Sequence, residues 1–139
     1  MNRKVDYALR LLRALQDQEL HTTSSLCALA CIPKPFAHKI LNSLHKANVV
    51  QNIPGARGGS RLIADLGLLS LYDLMQILDE RESISPCLEP AYQCEWRACH
   101  ESRCMVCEHL RSIQAQVDSI YRAKTIASLF EEVSPSHDK

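Results

Sequence analysis

Five of the seven cysteines in this chain, Cys87, Cys94, Cys99, Cys104 and Cys107, fall within 21 residues. The stretch that holds them mixes charge and proline without a sustained apolar period, so it reads as a loop that needs another source of order. The N-terminus MNRKVDYALRLL has neither a signal-peptide core nor a cleavage site, and no uncharged apolar run approaches the roughly 20 residues of a membrane span. These features predict a cytoplasmic protein with no membrane partner. Disulfides rarely persist there, so a cluster of thiols points to metal binding or thiol reactivity rather than to a disulfide framework.

The remaining 118 residues must supply the core. A 139-residue chain with 46% hydrophobic residues is the size of one compact domain with a helical extension, which excludes a large multidomain enzyme. Aromatics at 5% and only four glycines argue against a strand-rich sandwich and leave a mainly helical fold. Net charge is zero, yet residues 1–64 carry nine basic against three acidic side chains, and residues 65–139 carry seven against thirteen. From Leu20 to Ala64 there are five basic residues and no acidic one. That asymmetry is expected of a chain with one part facing phosphate, although a solvated basic face balanced by an acidic one gives the same arithmetic.

Val5, Leu9, Leu12 and Gln16, widened by Ala8, Leu11 and Leu15, predict an amphipathic helix over residues 3–18. Thr22 or Thr23 caps a short second helix ending near Ala30. Pro35 suits the first turn of a third helix, where its missing N–H costs nothing. That helix is expected to bury Phe36, Ile40, Leu41 and Leu44 and to expose His38, Lys39, Asn42 and Lys46, a donor-rich face free of carboxylates. Two short β-prone runs, 48–51 and 61–63, flank a segment containing Pro54, Gly55, Arg57, Gly58 and Gly59, and predict a hairpin. Helix, short helix, turn, helix and hairpin together spell a winged helix-turn-helix, in which the third helix enters the major groove of double-stranded DNA. Lys34, Pro35, His38, Lys39 and Asn42 are the candidate contacts on that helix, and Arg57 and Arg61 those on the wing.

Further on, Ser70 and Asp73 form a capping-box start for a helix to about Leu78. From about Cys104 onward, Leu110, Ile113, Val117 and Ile120 recur at alternating intervals of three and four, a narrow seam that suits pairing with a second copy of the helix. Thr125 can cap a last short helix burying Ile126, Leu129 and Phe130. The expected organisation is a DNA-binding domain over residues 1–80, a cysteine-rich loop over 81–106, a dimerisation helix and short terminal helix over 107–133, and a disordered tail over 134–139. Cys27 and Cys31 read as small buried hydrophobes, and His100 and His109 as exposed neighbours of the loop.

The runs SSLCALACIPKPFAHKILNSLHKANVV, PGARGGSRL and SLYDLMQILDE, followed by a cysteine loop, a long helix and KTIASLF, resemble the Rrf2 family of bacterial winged-helix transcriptional regulators, which includes NsrR-, IscR- and RirA-like proteins. The resemblance covers nearly the whole chain. It implies DNA binding controlled by an iron-sulphur cluster that senses nitric oxide, iron or redox state. By distance back from Thr125, it also implies Cys94, Cys99 and Cys104 as three cluster ligands. Asp6 in Asp6-Tyr7-Ala8-Leu9-Arg10 matches the position from which NsrR-type proteins supply a carboxylate across the dimer, whereas Cys107 matches the place of a ligand histidine in IscR-type proteins. The longer match favours Asp6 as the fourth ligand, with Cys107 and Cys87 as substitutes. The chain departs from the family pattern in leaving four residues between Cys99 and Cys104 where five are expected. In the wing, Pro54 replaces an Arg and Ser60 a Tyr.

Soft thiolates suit iron and offset the charge of a cluster, whether two-iron or four-iron. C-M-V-C is equally a zinc half-site, so a zinc-ordered loop is the alternative cofactor, and a thiol switch is a third reading. An electron-transfer or enzymatic iron-sulphur protein is the rival function. No catalytic triad, phosphate-binding glycine loop or metalloprotease motif supports it. A cluster-free interaction module is weaker still.

Overall fold

The computed structural model describes residues 2–100 and 102–133, so the expectation of a disordered tail over 134–139 lies outside the described residues. Helix α1, Arg3–Ala14, starts at Asn2, whose side chain accepts the backbone N–H groups of Lys4 and Val5. Its buried stripe is Val5, Ala8, Leu11, Leu12 and Leu15, while Leu9 is half-buried and Gln16 exposed. The helix stops four residues short of the expected end. Asp17 accepts from the backbone N–H of Glu19 at 2.9 Å and meets His21 Nε2 at 2.8 Å, and Gln18 takes a left-handed φ of 61°. A local carboxylate turn thus replaces the last helical turn.

Helix α2, Thr23–Ala30, is capped by the Thr22 hydroxyl on the N–H of Ser25 and ends on Cys31 at φ 54°. Cys31 is exposed, which corrects its reading as a buried hydrophobe, while Cys27 is half-buried against the core. A residue in the left-handed position after a helix turns away from the core it terminates. Helix α3, Lys34–Lys46, has Pro35 in its first turn and buries Ala37, Ile40, Leu41 and Leu44. Phe36 is 45% exposed, against expectation, because Ala37 holds the first position of the buried stripe and Phe36 lies a hundred degrees around the helix. Its ring instead meets Tyr7 edge-on, with centroids 5.5 Å apart.

Strands β1, Val50–Ile53, and β2, Gly59–Leu62, pair antiparallel with Val50 opposite Leu62 and Ile53 opposite Gly59, which sets each strand about two residues from its predicted place. The wing is locked to the linker before α2 by two backbone bonds between His21 and Ser60, at 3.0 and 2.8 Å. That approach requires Gly59, since a Cβ there would sit 2.1 Å from the carbonyl oxygen of His21. Helix α4, Leu71–Ile77, carries both halves of the expected capping box. It buries Leu71, Leu74 and Met75, with Leu78 buried at its end.

The long helix is α6, Met105–Ala123, preceded by a 3-10 turn at Pro86–Leu88 and a short helix α5, Glu95–Cys99, within what the sequence presented as loop. The face that α6 turns inward carries Cys107 near its start and two polar side chains, Gln114 and Asp118, beyond it. Gln114 accepts the N–H of Ile84 at 2.8 Å and donates to Asp118 at 2.9 Å, and Asp118 accepts from Arg81 at 2.8 Å. Both side chains are buried and satisfied; a single unpaired buried group of this kind costs about 1–3 kcal/mol. Tyr72 on α4 lies under two guanidinium groups, those of Arg122 at 3.9 Å and Arg81 at 5.5 Å. The chain then closes back on the core built by the N-terminal helices. Lys124 accepts from the N–H of Leu71, and Ile126 and Ala127 donate to Leu69 and Leu66. Ile126, in helix α7, Ile126–Leu129, is fully buried in the main core. Leu129, expected to be buried, is 39% exposed, and Phe130 is half-buried, since a one-turn helix can turn only one edge inward. Among the described residues no helix is long and apolar enough to cross a membrane.

Candidate nucleic-acid interface and thiol loop

Helix α3 buries one face and so presents the other in full. Lys34, Pro35, His38, Lys39, Asn42, His45 and Lys46 are all exposed, and no carboxylate lies on the helix. Between this face, the start of α2 and the wing runs a groove of about 500 Å³ lined by Thr23, Ser24, Lys34, His38, Asn42, Asn52 and Gly55, among others. Its lining contains donors and amides but no acid, the chemistry that phosphates and base edges require. Arg57 lies exposed in the turn of the wing, where the N–H of Gly58 donates to Gly55 at 3.0 Å. Arg61 is exposed on β2 and donates to the Gln51 side chain across the strand pair at 2.5 Å.

Thr23, Ser24 and Asn52 line the groove but were not nominated from the sequence. The two hydroxyl residues sit in the first turn of α2, beside a cap that is legible in the sequence. Asn52 carries no such signal. It reaches the groove because its amide donates to the Leu41 carbonyl at 3.3 Å and its oxygen accepts from Ser60 at 2.7 Å, tying α3 to the wing.

The thiols are gathered unevenly. Cys104 caps α6, its sulphur accepting the N–H of Cys107 at 3.4 Å. Cys107 is buried on the inward face of α6, 3.7 Å from the carbonyl oxygen of Cys87 and 3.9 Å from a guanidinium nitrogen of Arg111. Cys94 and Cys99 bracket α5, the first half-buried and the second exposed. Among the described residues no group of three or more Cys, His, Asp or Glu side chains converges as a metal site, so the single chain does not by itself bring Cys94, Cys99 and Cys104 together. Asp6, in the first turn of α1, is half-exposed and paired with Arg10 at 2.8 Å. The hydrogen bond from Ser85 lowers the pKa of Cys87 below the usual thiol value, and the bond that Cys107 shares with Cys87 raises that of Cys107. His100 and His109 are exposed, with His100 stacked on Trp96 at 4.5 Å.

The Rrf2 family, described as iron-dependent transcriptional regulators, matches residues 1–132. A protein of Rhodobacter capsulatus bearing an rrf2-like HTH-type transcriptional regulator name is 32% identical over 115 residues, covering 76% of this chain and 75% of its own length. An Aquifex aeolicus protein with an HTH-type transcriptional regulator name is 26% identical over 127 residues, covering 90% of this chain and 87% of its own. Among solved structures, the oxidised form of CymR from Staphylococcus aureus superposes with a TM-score of 0.69 at 17% identity, covering 96% of this chain and 97% of that one. IscR of T. potens superposes at 0.66 and 12% identity, covering 100% and 91%. These two show the fold.

Proposed function

The chain belongs to the Rrf2 family of transcriptional regulators and not to an enzyme family, and from that premise we propose that it is a cytoplasmic homodimer whose affinity for a double-stranded DNA operator is set by an iron-sulphur cluster. The observation that carries the DNA half of this reading is the acid-free exposed face of α3 beside the wing groove. Lys34, His38, Lys39 and Asn42 lie on the element that reads the major groove, Pro35 fixes the helix start, and Arg57 and Arg61 stand where the wing meets the backbone of the duplex. Two copies of this face are needed to span two half-sites, which a dimer through α6 supplies.

The cluster half is supported by the donor set. Cys94, Cys99 and Cys104 are soft ligands on a loop that is short of regular structure, so folding around a cluster can bring them together at modest cost. A cluster held by these thiols would supply a reversible chemical target for nitric oxide, oxygen or iron loss. Cys104 is the N-cap of α6, so a ligand bond there fixes the start of that helix. From α6 the constraint passes through Gln114 and Asp118 to Arg81, and through Arg122 to Tyr72 on α4. Lys124 and Ile126 then join it to the core that holds α3. For the fourth ligand, Cys107 faces Cys87 rather than solvent, which favours Asp6 of the opposite protomer; Asp6 must then exchange Arg10 for iron. Zinc on the same thiols is the second reading, favoured by the Cys104-x-x-Cys107 spacing.

Two substitutions on α3 separate positioning from readout. Lys39→Ala should weaken binding to all duplexes alike and reduce the salt slope by about one unit, as loss of a single phosphate contact does. Asn42→Ala should relax preference at one base pair by about 1–3 kcal/mol, because an amide can pair bidentately with adenine. Binding titrations at several salt concentrations against operator and scrambled DNA measure both. Unchanged binding by two correctly folded variants places the DNA surface elsewhere.

A further inference from the structure

The start of α6 packs on the 3-10 turn Pro86–Leu88, and this contact joins the two outermost cysteines of the loop. Cys107 Sγ points at the Cys87 carbonyl oxygen at 3.7 Å, so the two cysteine residues are in direct contact. Cys87 Sγ also lies 3.2 Å from the Ser85 hydroxyl. Cys94, Cys99 and Cys104 all fall between the pair in sequence, so the pair stands at the neck of the loop. Exposure divides the two thiols: Cys87 is half-buried, whereas Cys107 is 5% exposed.

We propose that Cys87 and Cys107 form a dithiol that low-molecular-weight disulfides oxidise to an intramolecular disulfide, closing the neck of the cysteine loop. Cys87, the accessible member, attacks the small disulfide and releases one small thiol, leaving a mixed disulfide on its sulphur. Cys107 then attacks the Cys87 sulphur, and the second small thiol departs. Two protein thiols have lost two electrons and two protons, and one small disulfide has become two thiols. The bond pins the 3-10 turn to the first turn of α6 and removes Cys107 from the ligands available to a metal. The inference stands on the packing of α6 and does not depend on a cluster being present.

The test exposes the full-length chain to oxidised glutathione under anaerobic conditions, blocks remaining thiols and maps the peptides without reduction, with iron measured on the same sample. The expected result is loss of two free thiols and a cross-linked peptide pair joining Cys87 to Cys107, whatever the iron content. Cys107→Ser should arrest at a glutathione adduct on Cys87, and Cys87→Ser should leave Cys107 unmodified. A Cys104–Cys107 cross-link in the parent chain overturns the proposal, as does a stable Cys87 adduct beside a free Cys107. Absence of iron in the same sample counts against the cluster and leaves this result untouched.

Discussion

Replacing Ile113 and Val117 by Asp should turn the proposed dimer into monomers at micromolar concentration while leaving the fold of each chain intact. In the single chain Ile113 is 48% exposed and Ile120 60% exposed, with Leu110 and Val117 half-buried beside them. The inward face of α6 is instead occupied by Gln114 and Asp118. The exposed part of this seam, Ile113 and Ile120, is not used to hold the helix on its own domain, so it is available to a second copy. Each apolar side chain removed from water contributes about 1.5–3 kcal/mol, and a carboxylate forced into the same place costs several more. Four carboxylates facing one another across a symmetric interface exceed what such a contact can carry. Circular dichroism should remain that of the parent, and operator affinity should fall steeply as two half-sites are no longer held together. A parent protein that sediments as a monomer, or a double variant that still sediments as a dimer, contradicts this interface.

The second large effect concerns the ligands. Cys94→Ala, Cys99→Ala and Cys104→Ala should each abolish retention of iron and sulphide, because losing one thiolate leaves too few ligands unless Cys87 or Cys107 substitutes. Asp6→Ala and Cys107→Ala then differ. A carboxylate is a harder and weaker partner for iron than a thiolate and leaves one iron open, so the parent should react quickly with nitric oxide. Asp6→Ala should change the optical spectrum and that reaction rate, whereas Cys107→Ala should leave iron content close to the parent's. Asp6 also has a purely structural use, as an acid in the first turn of α1 facing the positive end of the helix. An Asp6→Ala protein with unchanged iron, spectrum and rate, beside an empty Cys107→Ala protein, assigns the fourth position to Cys107.

The sequence was most legible where one residue type has one structural use. Pro35 marked the start of α3, Ser70 and Asp73 the start of α4, and Thr125 the start of α7, and all three helices begin there. Periodicity separated the buried from the exposed face of α3 except at Phe36, whose size suggested core although its place on the helix does not reach it. The end of α1 was missed because a single aspartate turn outweighs several residues of favourable pattern. The polar inward face of α6 was invisible for a deeper reason. A search for apolar spacing finds the seam that faces outward and passes over Gln114 and Asp118, whose burial depends on partners, Ile84 and Arg81, some thirty residues away. The candidate DNA contacts could be nominated from charge and spacing, but Asn52 entered the groove only through tertiary bonds. Likewise the pairing of Cys87 with Cys107 follows from how α6 packs, and seven cysteines in a row of letters do not reveal it.

Occupancy of the cysteine loop is proposed to govern DNA affinity, and the most direct measurement is iron and acid-labile sulphide per chain on anaerobically purified protein, with operator affinity measured on the same sample before and after nitric oxide. Iron and sulphide should be bound together in comparable amounts, and operator affinity should change by about tenfold or more on treatment, a coupling of about 1.4 kcal/mol or greater. Zinc in place of iron, or an operator affinity indifferent to the loss of the cluster, would contradict it.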